Sequence, residues 1–354
     1  MKQMVYLPIL LAALSLFIGE GCSQDPPIRF PLAGEHDIDE AQLGEAFDAI
    51  KNIDGIASLV VCRDGIIVAE EYYNGYRSDS IRSVMSVTKT VTSLLIGLAL
   101  DKGYIEDIND PISKYLTGIV NFPDEIKANI TIEQMLKMTF GHAWNGTKPE
   151  SLYDTFAAMP DHLQYILDLP LVSLPGTTFN YSDGASYLLS VIITEASGIN
   201  TLDFAMENLF TPLGITNIIW SKDDRGYPSG ASNLRISPYD MVKIGNLILN
   251  HGRYKGSQVV PESWITAMTT THITTNNDIP YGPEYGYQIW INSTGAQKYY
   301  FAMGWGGQFI VIVPDQELVV TASCSTANLD WQKASEHWSS IINIIVNKVF
   351  PAVN

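Results

Sequence analysis

Ser86 and Lys89 stand three positions apart, at the start of a long apolar run. On a helix, residues with this spacing lie on one face, so the lysine amine can reach the serine hydroxyl. A serine hydroxyl is almost wholly protonated at neutral pH, and a lysine helps to remove its proton only if burial and positive potential lower the lysine pKa. A helix N-terminus supplies such potential, and the run from Val91 to Leu100 predicts a helix buried on every side. The spacing therefore predicts a nucleophilic serine activated by a lysine of lowered pKa.

On these two residues alone, a helix-capping serine beside a solvated lysine is the more ordinary arrangement. Other catalytic motifs are missing from the sequence. It has no Gly-x-Ser-x-Gly elbow, no His-Glu-x-x-His zinc helix, no phosphate-binding Walker loop and no dinucleotide fingerprint. Its six histidines lack ligand spacing, so no metal site is predicted.

The composition is that of an ordinary globular chain of 354 residues, 46% hydrophobic and 17% charged. This length supports one large core or two modest ones. The formal net charge of -17 argues against a nucleic-acid binder, which needs clustered Lys and Arg to neutralise phosphates. Of the three cysteines, only Cys62 and Cys324 lie beyond the N-terminal segment, both in strand-like stretches, and two are too few for a disulfide scaffold. Two alternatives remain open: the thiols are buried and inert, or they form a disulfide between neighbouring strands.

The N-terminus is typical of an export signal. Lys2 precedes an apolar stretch from Tyr6 to Ile18 that is too short for a confident membrane span. Cys22 follows Gly21, which resembles the cleavage box of bacterial lipoproteins, where that cysteine is lipidated. Ordinary cleavage and secretion is the alternative. The sequence predicts a signal over 1–22, a linker over 23–38 and an exported protein that is periplasmic, membrane-anchored through Cys22, or secreted.

The pattern of elements predicts a discontinuous α/β domain over 39–350. A helix is expected from Asp39 to Asn52, followed by a hairpin around Asp64-Gly65. Near the other end, four strands are expected, and an amphipathic helix closes the chain. The strands are Tyr285 to Ile291, Tyr299 to Ala302, Phe309 to Val313 and Leu318 to Ala322, and the helix runs from Trp331 to Val349. The segment 104–218 reads as mostly helical, between α/β parts at 39–103 and 219–350.

Four stretches in order and spacing resemble the class C β-lactamase-related serine hydrolases. They are Ser86 to Lys89, Ile130 to Gly141, Pro175 to Asp183 and Gly304 to Gln308. The resemblance covers roughly residues 45–350. It implies the β-lactamase/transpeptidase-like fold, an antiparallel sheet flanked by N- and C-terminal helices with a mostly helical inserted subdomain. It also implies a monomer that needs no cofactor.

The resemblance assigns roles to particular residues. Ser86 would be the nucleophile, and Lys89 and Tyr181 would carry protons between it and the leaving group. A tyrosine that acts as a phenolate at neutral pH needs positive surroundings, for which Lys89 is the obvious source. The oxyanion hole would consist of the backbone N–H groups of Ser86 and Gln308.

Two departures from the family pattern bear on the substrate. The tyrosine motif usually ends in an asparagine that binds the substrate amide, whereas this chain has Asp183. The third motif is usually Lys-Thr-Gly, whose charge helps to hold a substrate carboxylate, whereas this chain has Trp305-Gly306-Gly307. These four residues are the candidate substrate-binding set.

The sequence therefore favours a serine hydrolase that forms an acyl-enzyme with a small carboxylic ester or a non-β-lactam amide. One alternative is a penicillin-binding D-alanyl-D-alanine carboxypeptidase or weak β-lactamase. Another is an inactive binding module of the same fold. The retained Ser86, Lys89 and Tyr181 argue against inactivity.

Overall fold

The computed structural model describes residues 30, 32–144, 156, 158–275, 279 and 281–354. The predicted export signal, Cys22 and half of the linker lie outside the described residues. The main helices are α1 Glu40–Ile50, α2 Thr88–Asp101, α3 Ser113–Leu116, α4 Glu125–Ala128, α5 Ile132–Leu136, α6 His162–Asp168, α7 Asp183–Ser197, α8 Thr201–Ala205, α9 Pro238–Leu249, α10 Glu262–Met268 and α11 Trp331–Ile344. The strands are β1 Ile56–Arg63, β2 Ile66–Tyr72, β3 Arg82–Ser83, β4 Ile219–Trp220, β5 Leu234–Ile236, β6 Arg253–Tyr254, β7 Ser257–Gln258, β8 Ile273–Thr274, β9 Glu284–Tyr285, β10 Trp290–Asn292, β11 Tyr299–Gly304, β12 Gln308–Val313 and β13 Leu318–Cys324.

An antiparallel sheet of eight strands, in the order β2-β1-β13-β12-β11-β10-β9-β8, forms the centre of the molecule. Strand β1 pairs with β13, with Val61 opposite Val320, so the two ends of the chain build one sheet. In the sequence, the mostly helical segment therefore separates two halves of one α/β unit. The predicted fold class is confirmed.

Each face of the sheet carries its own core, because successive side chains of a strand point to opposite faces. On β1, Val60 and Cys62 join the core beneath the helical middle, whereas Leu59 and Val61 join the core beneath α1 and α11. Strands β12 and β13 are buried along their whole length, as expected of strands covered on both faces.

The hairpin predicted around Asp64-Gly65 is confirmed. Strands β1 and β2 pair antiparallel, with Arg63 opposite Ile66. Asp64 and Gly65 have φ angles of 54° and 76°, the left-handed pair that a two-residue hairpin turn needs.

The strand expected from Tyr285 to Ile291 is interrupted. Strand β9 ends at Tyr285 and β10 begins at Trp290. Between them Gln288 adopts a φ of 59°, and its side-chain amide donates to the carbonyls of Met135 and Leu136 at 3.0 and 3.1 Å. The chain leaves the sheet here because its polar groups bind the end of α5 instead of a neighbouring strand.

Cys62 and Cys324 are buried free thiols. Their strands are neighbours, but Cys62 lies opposite Val319 and Cys324 lies opposite Ile56. The register, not the strand order, therefore keeps the two thiols apart.

Within the described ranges, no single helix is long and apolar enough to cross a membrane. The helix Asp183–Ser197 together with Thr201–Phe210 meets the criteria of length and composition only as a pair bent by 82°. Most of the apolar residues of both segments belong to the core beneath the helical middle.

Gly97 lies on α2 where no side chain fits. A Cβ there would stand 2.2 Å from Cδ1 of Trp264, whose indole N–H donates to the carbonyl of Ser93 at 2.9 Å. Alanine has a helix propensity about 1 kcal/mol better than glycine, but overpacking costs about 1–3 kcal/mol. We expect Gly97→Ala to lower the free energy of unfolding by up to about 2 kcal/mol, measured by urea denaturation.

The control for this prediction is the same substitution in a Trp264→Leu background, where a smaller side chain faces the new methyl group. The cost of Gly97→Ala should shrink there. A stabilising Gly97→Ala in the native background would contradict this packing.

Candidate active site

Ser86 lies in a 3₁₀ turn, Met85–Val87, directly before α2. Met85 has a φ of 48°, a left-handed conformation that is uncommon for a residue with a side chain. Two hydroxyls support it: Ser83 Oγ accepts from the Met85 N–H at 3.3 Å, and Thr88 Oγ1 donates to the Met85 carbonyl at 2.6 Å. The tight turn places Ser86 at the first turn of a buried helix, where backbone N–H groups lack intrahelical acceptors.

Lys89 projects from α2 into the protein and is only 1% exposed. Its Nζ atom lies 3.0 Å from Ser86 Oγ, 2.5 Å from Asp183 Oδ1 and 2.9 Å from the Ala231 carbonyl oxygen. An ammonium group has three protons to donate and no lone pair to accept with. The three oxygens therefore match a protonated Lys89.

The charge of Asp183 decides the protonation of Lys89. Burial by itself lowers the pKa of Lys89, but the neighbouring Asp183 carboxylate and the Tyr181 hydroxyl raise it, and the pKa lies above its usual value. The expectation of a lowered lysine pKa is therefore wrong. The sequence showed the burial but not the carboxylate that would face the amine.

Tyr181 is buried with its ring near the ammonium, 4.9 Å from Lys89 Nζ to the ring centroid. The ring stacks on Trp290 with centroids 5.5 Å apart. Burial raises the pKa of Tyr181, against the attraction of Lys89 and hydrogen bonding to Ser86. The side chain is therefore a neutral phenol, which contradicts the expected phenolate, because desolvation outweighs the single nearby positive charge.

Asp183 is the first residue of α7, and Ser182 caps that helix by accepting from the Ala185 N–H at 3.1 Å. A helix N-terminus favours a carboxylate at this position. The sequence proposed Asp183 as a substrate contact, whereas the structure places it on Lys89. The departure from asparagine to aspartate was the one signal that could have revealed an ion pair.

The end of β11 packs against the segment that precedes Ser86. A Cβ on Gly304 would lie 2.4 Å from the Val84 carbonyl oxygen, so only glycine allows this approach. The Gly304 carbonyl accepts from the Gly307 N–H at 3.2 Å, inside the β11–β12 hairpin. All described peptide bonds are trans, so the N–H of Trp305, in the same peptide group, points away from β12.

Gln308 is the second residue whose N–H the sequence offered to the oxyanion hole. It begins β12, which lies between β11 and β13, and it pairs with Gly304 across the hairpin. Its side-chain amide donates to the Cys324 carbonyl at 2.8 Å. Its backbone lies within the sheet, between β11 and β13.

The motif Trp305-Gly306-Gly307 packs against the C-terminal part of the chain. The ring of Trp305 contacts those of Trp331 and Trp338, with centroids 5.3 and 6.4 Å apart. Gly306 and Gly307 have φ angles of 75° and 102°, and a Cβ on Gly307 would meet Ile341 at 2.5 Å. The described contacts of this motif are therefore structural ones that fix the hairpin to α11.

The largest cavity described, about 720 Å³, is not part of this site. It lies between the β1–β2 turn, α9 and the β6–β7 hairpin, and none of Ser86, Lys89 and Tyr181 lines it. In the described part of the chain, no group of three or more His, Cys, Asp or Glu side chains could hold a metal ion.

Comparison with known proteins bears on this arrangement. The family described as Beta-lactamase matches residues 42–339. The chain belongs to the beta-lactamase family. Ser86 and Lys89, 3.0 Å apart, both lie within the matched residues.

The relatives of this beta-lactamase-family chain are distant. It is 21% identical over 228 residues to the 6-aminohexanoate-dimer hydrolase of Paenarthrobacter ureafaciens. The aligned region covers 60% of this chain and 56% of that protein. A Bacillus anthracis structure provisionally named a 6-aminohexanoate-dimer hydrolase superposes with a TM-score of 0.71 at 20% identity. This match covers 88% of the present chain and 81% of the other. The structure of EstCE1, a hydrolase with promiscuous acyltransferase activity, superposes with a TM-score of 0.68 at 14% identity. This match covers 85% of the present chain and 98% of EstCE1. These likenesses establish the fold.

His142, which follows the Thr139-Phe140-Gly141 motif, is a packed side chain in this beta-lactamase-family fold. It is 1% exposed and its ring stacks on Phe140 with centroids 3.9 Å apart. Its Nδ1 lies 3.3 Å from the Phe140 carbonyl oxygen, and its Nε2 has no partner among the described residues. Burial lowers the pKa of His142 to about 4.

This lowered pKa gives a pH dependence of stability with a definite sign. The unfolded chain binds a proton at His142 near pH 6.5, whereas the folded chain does so only near pH 4. The stability contribution is present above pH 6.5 and is lost as the pH falls to 4, by about 3 kcal/mol. We expect His142→Phe to remove most of this loss in urea unfolding at pH 7 and pH 4.

The exposed His251 supplies the control, because His251→Phe should leave the pH dependence unchanged. Equal losses in native protein and His142→Phe would show that His142 is not buried as described.

Proposed function

We propose that the protein hydrolyses a small carboxylic ester or a non-β-lactam amide through an acyl-enzyme on Ser86. The observation that carries this proposal is the contact of Ser86 Oγ with a buried Lys89 that also binds Asp183. A serine alone is a weak nucleophile and needs a partner that takes its proton.

The geometry supports a proton relay that ends on Asp183. As Ser86 Oγ forms its bond to the carbonyl carbon, its proton passes to Lys89 Nζ, while a proton of Lys89 passes to Asp183 Oδ1. Lys89 remains an ammonium, and Asp183 becomes neutral. When the bond to the leaving group breaks, the proton returns through Lys89 and the Tyr181 hydroxyl to the leaving atom. A water then repeats the sequence and releases the acid.

For the oxyanion hole, we propose the N–H groups of Ser86 and Trp305 in place of the pair Ser86 and Gln308. Ser86 lies at a helix start, where backbone N–H groups lack intrahelical acceptors. The Trp305 N–H points out of the hairpin whose Gly304 packs against the segment before Ser86. Two convergent N–H donors stabilise the charge that develops on the carbonyl oxygen.

The substrate class follows from what the hairpin lacks. Trp305 offers no positive charge where the family's Lys-Thr-Gly motif has one, so a substrate carboxylate loses its usual partner. The names of two relatives, a 6-aminohexanoate-dimer hydrolase and EstCE1, support a linear amide or an ester. A penicillin-binding carboxypeptidase is the second candidate, favoured by a structural match at a TM-score of 0.67 to a penicillin-binding protein homologue of Pyrococcus abyssi.

We further propose that the enzyme is exported as a monomer and retained at a membrane through Cys22. The apolar segment and the cysteine after Gly21 support this proposal. Its test is labelling of cells with a fatty-acid probe, in which Cys22→Ala should abolish incorporation.

Ser86→Ala tests the nucleophile. Turnover of p-nitrophenyl acetate should fall by about 10³-fold or more, because the acyl-enzyme cannot form. Intact-protein mass spectrometry after mixing with the ester should show a Ser86-dependent acyl adduct, and benzylpenicillin should leave none. Ser93→Ala is the matched control, since that buried hydroxyl on the same helix has no partner among the described residues.

A durable penicilloyl adduct on Ser86 would replace this proposal with the penicillin-binding candidate. An absence of reaction with both reagents would favour the inactive binding module.

Asp183→Asn separates the proton relay from substrate binding. An amide cannot accept the proton, and without the carboxylate burial lowers the pKa of Lys89, so neutral Lys89 must act as the base. At pH 7 kcat should fall by about tenfold or more and recover as the pH rises, with little change in KM.

The control for this prediction is Ser182→Ala, which removes the cap of the same helix and keeps the carboxylate. It should leave the shape of the pH profile intact. If Asp183→Asn raises KM and keeps the native pH profile, Asp183 binds substrate and the relay is wrong.

A further inference from the structure

A second cavity, of about 210 Å³, lies between strands β11 and β12 and helix α11. Its walls come from the sheet face that α11 covers, from one face of α11 and from two residues of the segment before β9. The lining residues are Ile279, Tyr281, Phe301, Met303, Phe309, Ser335, Trp338, Ser339 and Ile342. None of these side chains is charged.

None of Ser86, Lys89 and Tyr181 lines the cavity, but one residue or one ring separates it from the proposed catalytic groups on two sides. Met303 comes directly before Gly304, where a Cβ would stand 2.4 Å from the Val84 carbonyl oxygen and 3.0 Å from Met85 Cβ. The ring of Phe301 stacks on Trp290 with centroids 6.2 Å apart, and Trp290 in turn stacks on Tyr181 at 5.5 Å. A substrate held at Ser86 therefore has an apolar space within one residue of the oxyanion hairpin.

Two small residues keep this space open. Ser335 and Ser339 are one helical turn apart, on the same face of α11 as Trp338 and Ile342. A large apolar side chain at either serine would fill the cavity and gain packing contacts. Ser339 is exposed and Ser335 is half-buried, so the serine side of the cavity reaches solvent.

We infer that this cavity binds an uncharged apolar chain of the substrate, on the acyl or the leaving-group side of the scissile bond. This inference rests on the proposed ester or amide hydrolysis at Ser86. A dry cavity of about 150 Å³ holds benzene, so one of this size holds a chain of about eight carbon atoms. Without a lining cation it does not select a carboxylate.

The experiment measures kcat/KM for two series of esters with the full exported chain. The first series is p-nitrophenyl esters from acetate to dodecanoate, and the second is acetate esters of straight-chain alcohols from methanol to dodecanol. In one series kcat/KM should rise about threefold to fourfold per methylene up to about eight carbons and then level off. The series that rises identifies the side of the scissile bond that the cavity holds.

Ser335→Phe and Ser339→Phe then test the site itself. Each should lower the ratio of kcat/KM for the eight-carbon ester to that for acetate by about tenfold or more, because the ring occupies the space of several methylenes. Ser340→Phe is the matched control, an exposed position on α11 outside the cavity, and should keep the native ratio. Thermal unfolding of each variant shows that it is folded.

Native chain-length ratios in both folded cavity variants would overturn this inference, as would a flat profile in both series with the unmodified protein. Acetate turnover by the unmodified protein, dependent on Ser86, would still stand in those cases. Its absence would instead refute the proposed function.

Discussion

The ion pair between Lys89 and Asp183 is the contact on which the site depends. It joins α2 to α7 at 2.5 Å in a buried setting, and the third partner of Lys89, the Ala231 carbonyl, fixes the amine beside Ser86. A buried pair of charges contributes little net stability, but removing one partner leaves the other uncompensated. The pair therefore sets the charge state of the lysine more than it stabilises the fold.

The sheet brings the two ends of the chain to this pair of helices. In the sequence, β1, β2 and β3 precede Ser86. In the sheet, β13 pairs with β1 and β12 pairs with β13, so the β11–β12 hairpin belongs to the same sheet as β1. Gly304 permits the final approach, because any side chain there would meet the Val84 carbonyl. The nucleophile and its proposed oxyanion donor thus come from segments more than 200 residues apart, which meet where Gly304 packs against Val84.

Aromatic side chains connect the site to the rest of the α11 face. Tyr181, Trp290 and Phe301 form a stacked row along the sheet. Trp305 packs on two tryptophans of α11, so the hairpin and that helix form one unit. An apolar wall of this kind excludes water from the ammonium and the phenol, which strengthens the electrostatic interactions among them.

The sequence by itself determined what is local or periodic. The spacing of Ser86 and Lys89, the Asp64-Gly65 turn, the two strand-bearing ends and the terminal helices follow from side-chain type and from periods of two and 3.6 residues. Tertiary structure alone decided the rest. The raised pKa of Lys89 depends on a carboxylate 94 residues away, and the direction of the Trp305 N–H depends on which way a peptide group turns in a hairpin. Charge state and N–H direction arise from contacts between distant segments, and a linear pattern carries no information about them.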